Sequence, residues 1–202
     1  MAQCFFCSAA YMPQQFVFTG RQGSFSCTLH GERCAATTRT GLPCKRRTVI
    51  GLGLCWGHLL SEKKLRIRES GIPGGGKGLF AQDRALPPGA VVFKRGEVLT
   101  VYGGELVHHA ETTRRYGADN APYAVESTRG RREDAACRRG VGAMANTRRG
   151  GGRNNARLSR RNDGTHTLKA SRSIRNNEEI LLAYGPRFIF DARNSHTTRQ
   201  RR

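Results

Sequence analysis

The sequence predicts a mainly β fold with a few short helices, of the α+β class. Two observations carry this. From Gly71 onward, short apolar runs alternate with Gly, Pro and Asn at short intervals, and no stretch sustains a helical period. A third observation, six cysteines within the first 55 residues, places a small metal-stapled module ahead of the β-rich part. The expected organisation is a cysteine/histidine region over 1–60, a β domain over 66–190 and a basic, disordered tail over 191–202.

The N-terminal cysteines fall into two candidate four-ligand sets. Cys4-x2-Cys7, nineteen residues, then Cys27-x2-His30 makes one; Cys34-x9-Cys44-x10-Cys55-x2-His58 makes the other. Zinc asks for four soft or borderline ligands in a tetrahedron, and a two-residue gap lets one tight turn present two of them. Together the sets use every cysteine except Cys137, which reads as an inert thiol. The first residues, MAQCFFCSAAYM, lack a basic n-region and an apolar h-region, so secretion is not expected. In a chain that is not secreted, metal binding is favoured over disulfides. One or two structural zinc ions are therefore expected. The second set resembles small zinc modules that recur in many unrelated proteins and by itself names no function.

After His58, LLSEKKLRIRES reads as a connector entering a first strand. The runs GLFA, AVVFKRGEVLTVY, YAVES, NARL, HTLKASRSI and EILLAYG read as strands, and ETTRRYG as a short helix. LPPGA is a turn, and Asp163-Gly164 suits a hairpin. ANTRRGGGRNNAR is a loop that something must hold in place.

The chain has 202 residues, 37% of them hydrophobic, and a net charge of +20 from 35 Lys and Arg against 15 Asp and Glu. That charge favours polyanions and predicts contact with DNA or nucleosomes through a basic surface. A nuclear or chromatin-associated location is expected from the charge and the basic tail. No apolar run reaches membrane-spanning length, so no membrane contact is expected. A single tryptophan and 7% aromatic content argue against a base-stacking platform.

The glycine run GGGKGLFA suggests a phosphate loop at first sight. A Walker loop needs Ser or Thr after its Lys and a helix beyond; here Gly78 follows Lys77 and the flanks are strand-like. What remains is a turn between strands where backbone can approach a ligand closely.

Four segments in order resemble the SET-domain protein lysine methyltransferases. They are Gly76-Lys77-Gly78-Leu79-Phe80-Ala81 followed by PPGAVV; Tyr102-Gly103-Gly104-Glu105; Gly142 to Thr147 with Asn154-Asn155-Ala156-Arg157; and ASRSIRNNEEILLAYG, ending in Tyr184-Gly185. The resemblance covers 66–190 and implies a β-clip fold of small sheets around a knot-like crossing of the Asn146 and Tyr184 segments. It implies an S-adenosylmethionine site at Gly76, Lys77, Gly78, Leu79, Phe80, Asn146, Thr147 and Tyr184. Tyr184 and Tyr102 would be the catalytic pair. A substrate channel would be formed by Tyr102, Leu158, Leu182 and Phe188, with GPRFIF as its lid. The implied activity is lysine N-methylation of a histone or another chromatin protein. The rival expectation is a non-catalytic zinc-containing binder of chromatin or nucleic acid. Departures from the pattern are Thr147 in place of His, the RRGGGR insertion, Asn154 in place of Pro, and the lack of cysteines after Tyr184.

Overall fold

The structure is a computed structural model and describes residues 14–48, 53–117, 121–148 and 154–184. After a hairpin of β1 (Gln14–Thr19) and β2 (Ser24–Leu29), the chain forms α1 (Trp56–Lys63), β3 (Leu65–Glu69), β4 (Lys77–Ala81), β5 (Val91–Phe93), β6 (Val98–Val101) and β7 (Glu105–His108). Then come α2 (His109–Tyr116), β8 (Ala124–Glu126), β9 (Arg131–Asp134) and a 3₁₀ turn at Val141–Met144. The described chain closes with β10 (Ala156–Arg160), β11 (His166–Ala170), β12 (Ile174–Arg175) and β13 (Glu179–Ile180). This is the predicted class: mainly β, with two short helices among the described residues.

The strands form small antiparallel sheets: β13-β4-β3, β12-β5, β10-β11-β6 and β7-β9-β8, beside the β1-β2 hairpin. KGLFA fills the middle of its sheet because its apolar side chains can be buried on both faces; Leu79 and Ala81 are fully enclosed. Asp163-Gly164 turns β10 into β11 as expected, with Gly164 at φ +85°. The main core gathers Leu65, Leu79, Leu168, Ile174 and Ile180, all fully buried. Each such side chain contributes about 1.5–3 kcal/mol of burial.

Two parallel bridges, Asn146 to Leu181 and Ala156 to Leu182, tie the late strand segment to both Asn146 and Ala156. This is the expected crossing. A second close approach needs glycine. A Cβ on Gly140 would lie 2.3 Å from the Tyr102 carbonyl oxygen, and one on Gly103 would lie 2.5 Å from the Gly140 Cα. Backbone therefore passes directly over backbone under Tyr102.

Residues 14–26, predicted only as part of the spacer between Cys7 and Cys27, form with residues 27–29 the β1-β2 hairpin, which docks on the later chain. Phe18 packs edge-on against Tyr116 with centroids 5.1 Å apart, and Phe16 against Tyr123 at 5.7 Å. Cys27 is joined to Cys137 by a disulfide. This corrects two expectations: Cys137 is not a free thiol, and Cys27 offers no thiolate, so the set Cys4, Cys7, Cys27 and His30 is not available as a Cys3His site. The reason is that the hairpin carries Cys27 onto the segment after β9, away from a local metal turn. Cys4 and Cys7 lie outside the described residues, as does the 191–202 tail. The start of the predicted connector is the helix α1, and its second half is β3, the strand it was expected to enter. Leu59 and Leu60 are buried on the helix, and Lys64 ends it in the left-handed conformation.

A buried ion network anchors α2 to β9. Arg115 donates to Asp134 at 2.8 Å, Glu105 at 2.6 Å and Glu111 at 2.6 Å, while the Tyr116 hydroxyl donates to Asp134 at 2.8 Å. Arg114 and Arg115 together hold the Glu111 carboxyl down to about 2. A depressed carboxylate stabilises the fold above its unfolded value near 4.5, and that contribution is lost as pH falls toward 2. Because Glu111 sits at the surface, the effect should stay below about 1 kcal/mol. Glu111→Gln should therefore show a flatter loss of urea stability between pH 6 and pH 3 than the parent chain. Parallel pH profiles would refute this.

Candidate active site and metal centre

The site is built around Glu179, on β13. One carboxylate oxygen accepts from the Ser70 hydroxyl at 2.6 Å and the other from the Gly71 amide at 2.9 Å. The same group reaches the glycine loop's far end, where a Cβ on Gly78 would lie 2.3 Å from Glu179 Oε1. Asn146 adds a second clamp. Its Nδ2 donates to the carbonyls of Gly75 at 3.2 Å and Lys77 at 3.1 Å, and to Glu179 at 3.4 Å. Asn155, fully buried, donates to the Glu179 carbonyl at 2.8 Å and accepts from the Leu181 amide at 2.8 Å.

The crossing brings Tyr184 to the same place. Its hydroxyl donates to the Ala145 carbonyl at 2.8 Å, next to Asn146, whose own carbonyl accepts from the Leu182 amide at 2.7 Å. The glycine loop, the Asn146 segment and the Tyr184 phenol therefore meet. Burial pushes the Tyr184 phenol well up, with a further rise from Tyr123 and an opposing pull from Arg139. Burial likewise pushes Tyr102 well above its ordinary value, helped by Tyr184 and Tyr123. Both phenols stay protonated at neutral pH, which suits them to hydrogen bonding rather than to proton abstraction.

Tyr102 donates to the Tyr123 carbonyl at 2.8 Å. Its turn is held from below by Glu133, a fully buried carboxylate. Glu133 accepts from the amides of Gly103 at 3.1 Å, Gly104 at 3.0 Å and His166 at 2.7 Å. The Arg139 guanidinium lies 4.0 Å from the Tyr123 ring centroid and 5.9 Å from that of Phe16. Tyr123, Glu133 and Arg139 were not singled out from sequence. Tyr123 opens the expected strand YAVES, and that apolar run carried the only signal.

A cleft of about 230 Å³ opens beside the Glu179 clamp. It is bounded by Gly71 and Ile72 of the glycine loop, Arg148 and Leu181 at the crossing, and the Arg172–Glu178 ion pair, which spans 2.6 Å.

The expected cofactor residues are unequally placed. Gly76 belongs to the turn and Lys77 and Gly78 open β4, where Asn146 holds the Lys77 carbonyl and Glu179 lies against Gly78. Leu79 and Phe80, by contrast, lie in the middle strand of a three-stranded sheet and are buried, so neither offers free backbone to a ligand. Thr147 is buried beside the crossing. Leu158 packs against the main core from a partly buried position, whereas Leu182 is 2% exposed and serves core packing, not an open channel wall. Phe188 and the GPRFIF lid lie outside the described residues from Gly185 onward.

The second cysteine set is assembled. The ligand atoms of Cys34, Cys44, Cys55 and His58 all lie within 4.8 Å of one another. Cys34 Sγ and Cys55 Sγ stand 3.3 and 3.4 Å from His58 Nδ1. Zinc bonds of about 2.0 Å to nitrogen and 2.3 Å to sulfur imply ligand separations of about 3.5–3.8 Å, so the set fits a tetrahedral ion. The Cys55 amide donates to Cys34 Sγ at 3.2 Å. Burial pushes the Cys55 thiol up, but the backbone at His58 and hydrogen bonding with Cys34 outweigh it and bring it to about 7.

These features define a SET-type fold carrying a Cys3His module. No protein-family model matches the chain, and no curated protein matches it. Among solved structures, an active polycomb repressive complex 2 in the stimulated state superposes with a TM-score of 0.51 and 24% identity, over 66% of this chain and 17% of that one. The polycomb repressive complex 2 of Chaetomium thermophilum gives 0.49 and 20% identity over 73% and 17%. A Plasmodium falciparum protein assigned as a histone methyltransferase gives 0.43 and 19% identity over 61% and 95%. The chain thus spans under a fifth of the polycomb chains it matches. The 0.51 superposition agrees with the small-sheet architecture that the motif order implied.

Two measurements check this geometry. Gly78→Ala must displace the Glu179 carboxylate, so the Gly71 amide should exchange its hydrogen at least about tenfold faster; unchanged protection would refute the clamp. Purified protein should carry one zinc per chain through the 34–58 set, lost in Cys55→Ser. A second zinc equivalent surviving in Cys55→Ser would show that the N-terminal cysteines bind after all.

Proposed function

We propose that the chain is an S-adenosylmethionine-dependent protein-lysine N-methyltransferase acting on a histone or another chromatin protein. One observation carries this reading: the Tyr184 hydroxyl reaches the Ala145 carbonyl at 2.8 Å while the adjoining Asn146 is bonded to the glycine loop. The Ala145–Asn146 segment thus touches the phenol on one side and the glycine loop on the other, which supports a site where a donor and an amine are aligned for transfer of one carbon.

The cleft residues fit the donor's amino-acid end. Arg148 offers a cation for a carboxylate, and Glu178 and Glu179 offer carboxylates for an ammonium. When bound, the donor supplies a sulfonium methyl group. That methyl would go to a neutral lysine nitrogen with sulfur leaving as a thioether, while Arg148, Glu178 and Glu179 would hold the donor's amino-acid end.

The chain's own contribution is orientation and desolvation. The attacking amine must be neutral, and a site walled by buried tyrosines disfavours its charged form. The protonated Tyr102 and Tyr184 phenols and the Ala145 carbonyl offer fixed dipoles that align the amine and the polarised methyl group. Zinc in the Cys3His set has a structural role and takes no part in the transfer.

Tyr184→Phe should reduce transfer of labelled methyl groups to nucleosomes or core histones by about 100-fold or more, with donor binding retained by calorimetry. The second reading, a non-catalytic chromatin binder, draws on the fact that the Tyr102 and Tyr184 hydroxyls already donate within the chain. Absence of both label and donor binding in the parent chain would favour it.

A further inference from the structure

We propose that the exposed basic face of the Cys3His module docks on the phosphate backbone of duplex DNA. Residues 31–48 carry Arg33, Arg39, Lys45, Arg46 and Arg47, all exposed, against the single acidic residue Glu32. Elsewhere several cations are matched: Lys64, Arg114, Arg115, Arg132 and Arg172 each meet a carboxylate within 3.0 Å. None of the five module cations makes an ion pair among the described residues.

Their placement is costly without an anion. Arg33 and Arg47 stand directly opposite each other in an antiparallel bridge. Like charges in that position repel and weaken the pairing. Both guanidinium groups are held by backbone carbonyls rather than neutralised by a carboxylate. Arg33 Nε donates to the Cys44 carbonyl at 3.1 Å, and an Arg47 nitrogen donates to the Gly31 carbonyl at 3.2 Å. A bound polyanion removes the repulsion, and the guanidinium fork suits phosphate oxygens.

The metal set organises this face. Arg33 precedes Cys34 and Lys45 follows Cys44, so the ligands that close the module also aim its cations. The module is not loosely tethered. Leu54 and Leu59 pack into the main core, and α1 runs straight into β3 beside the glycine loop. A phosphate-bound module would therefore hold the cleft at a fixed orientation to the duplex.

The chemistry favours duplex over single strands. Single-strand sites need free aromatic faces for base stacking. The module's one exposed aromatic is Trp56, 44% exposed, and the Arg46 guanidinium lies 5.4 Å from its centroid.

The inference is independent of methyl transfer, because binding is measured without donor or protein substrate. The full chain with zinc would be titrated into a labelled 20-base-pair duplex and a single strand of equal length, from about 50 to 200 mM salt. Each phosphate neutralised adds about 0.9 to the salt slope. The triple variant R39A/K45A/R46A should lower that slope by about 2–3 and weaken duplex binding at least about tenfold at 100 mM salt. A control triple, R84A/R95A/R129A, removes equal exposed charge elsewhere and should cost under about threefold. Zinc content per chain verifies the fold of each variant, and Lys45→Glu alone provides a second, milder probe at an exposed side chain. Equal losses in the two triples would mean diffuse charge and overturn the proposal. So would tighter binding to the single strand, or duplex binding indifferent to Lys45→Glu.

Discussion

The Glu179 carboxylate is the joint on which the site depends. It receives Ser70 and Gly71 from one side of the glycine loop and lies against Gly78 and Asn146 on the other. Its backbone is meanwhile paired to Phe80 and bonded by Asn155. One side chain thus couples a loop, a central strand and the crossing. Carboxylate hydrogen bonds to backbone amides are among the stronger neutral-chain contacts, roughly twice a neutral pair. That strength is what lets a glycine-rich loop, entropically inclined to wander, keep one shape.

A second pair of carboxylates explains how so basic a chain builds a core. Glu133 and Asp134 are fully buried at the end of β9. Burying such groups without partners would cost several kcal/mol each. Here Glu133 is filled by three amides and sits 2.7 Å from His166 Nδ1, and Asp134 by Arg115, Tyr116 and the Ala136 amide. The consequence is positional. Glu133 fixes the turn carrying Tyr102, while Asp134 fixes α2, on which the N-terminal hairpin rests.

These two carboxylates also show where sequence reasoning stops. GLFA, HTLKA and the Asp163-Gly164 turn were legible because apolar spacing and turn chemistry act locally. The strand RRED was not, since it has four charged residues and no apolar face; tertiary partners override its propensity. The β1-β2 hairpin was hidden differently. QQFVFT carries the aromatic and β-branched residues of a strand, but Phe16, Val17 and Phe18 show no alternation in sequence, and the cysteine spacing made the stretch read as a spacer between ligands. The glycine, asparagine and tyrosine segments were recognisable by order alone. Which of their atoms face one another depended on Glu179 and Asn155, whose hydrogen bonds span residues about 24 to 109 apart in sequence.

The disulfide gives the hairpin a consequence beyond packing. Cys27–Cys137 closes a loop of 110 residues, and in the chain-entropy account such a closure is worth about 4–5 kcal/mol. It fastens the hairpin two residues before Arg139, the cation that stacks on Tyr123 and approaches Phe16. Tyr123 in turn supplies the carbonyl that receives the Tyr102 hydroxyl. The order of support therefore runs from hairpin to Arg139 to Tyr123 to Tyr102. In a reducing compartment the covalent link opens, and the same order rests on the packed hairpin: Phe16 edge-on against Tyr123, Phe18 and Phe25 against Tyr116, and buried Leu29. Aromatic pairs of this kind add about 0.5–1.5 kcal/mol each beyond their buried area. Burial of Phe16, Phe18 and Leu29 adds about 1.5–3 kcal/mol each, so the noncovalent hold survives reduction, and the wall behind Tyr102 is firmest when the two sulfurs are joined as well.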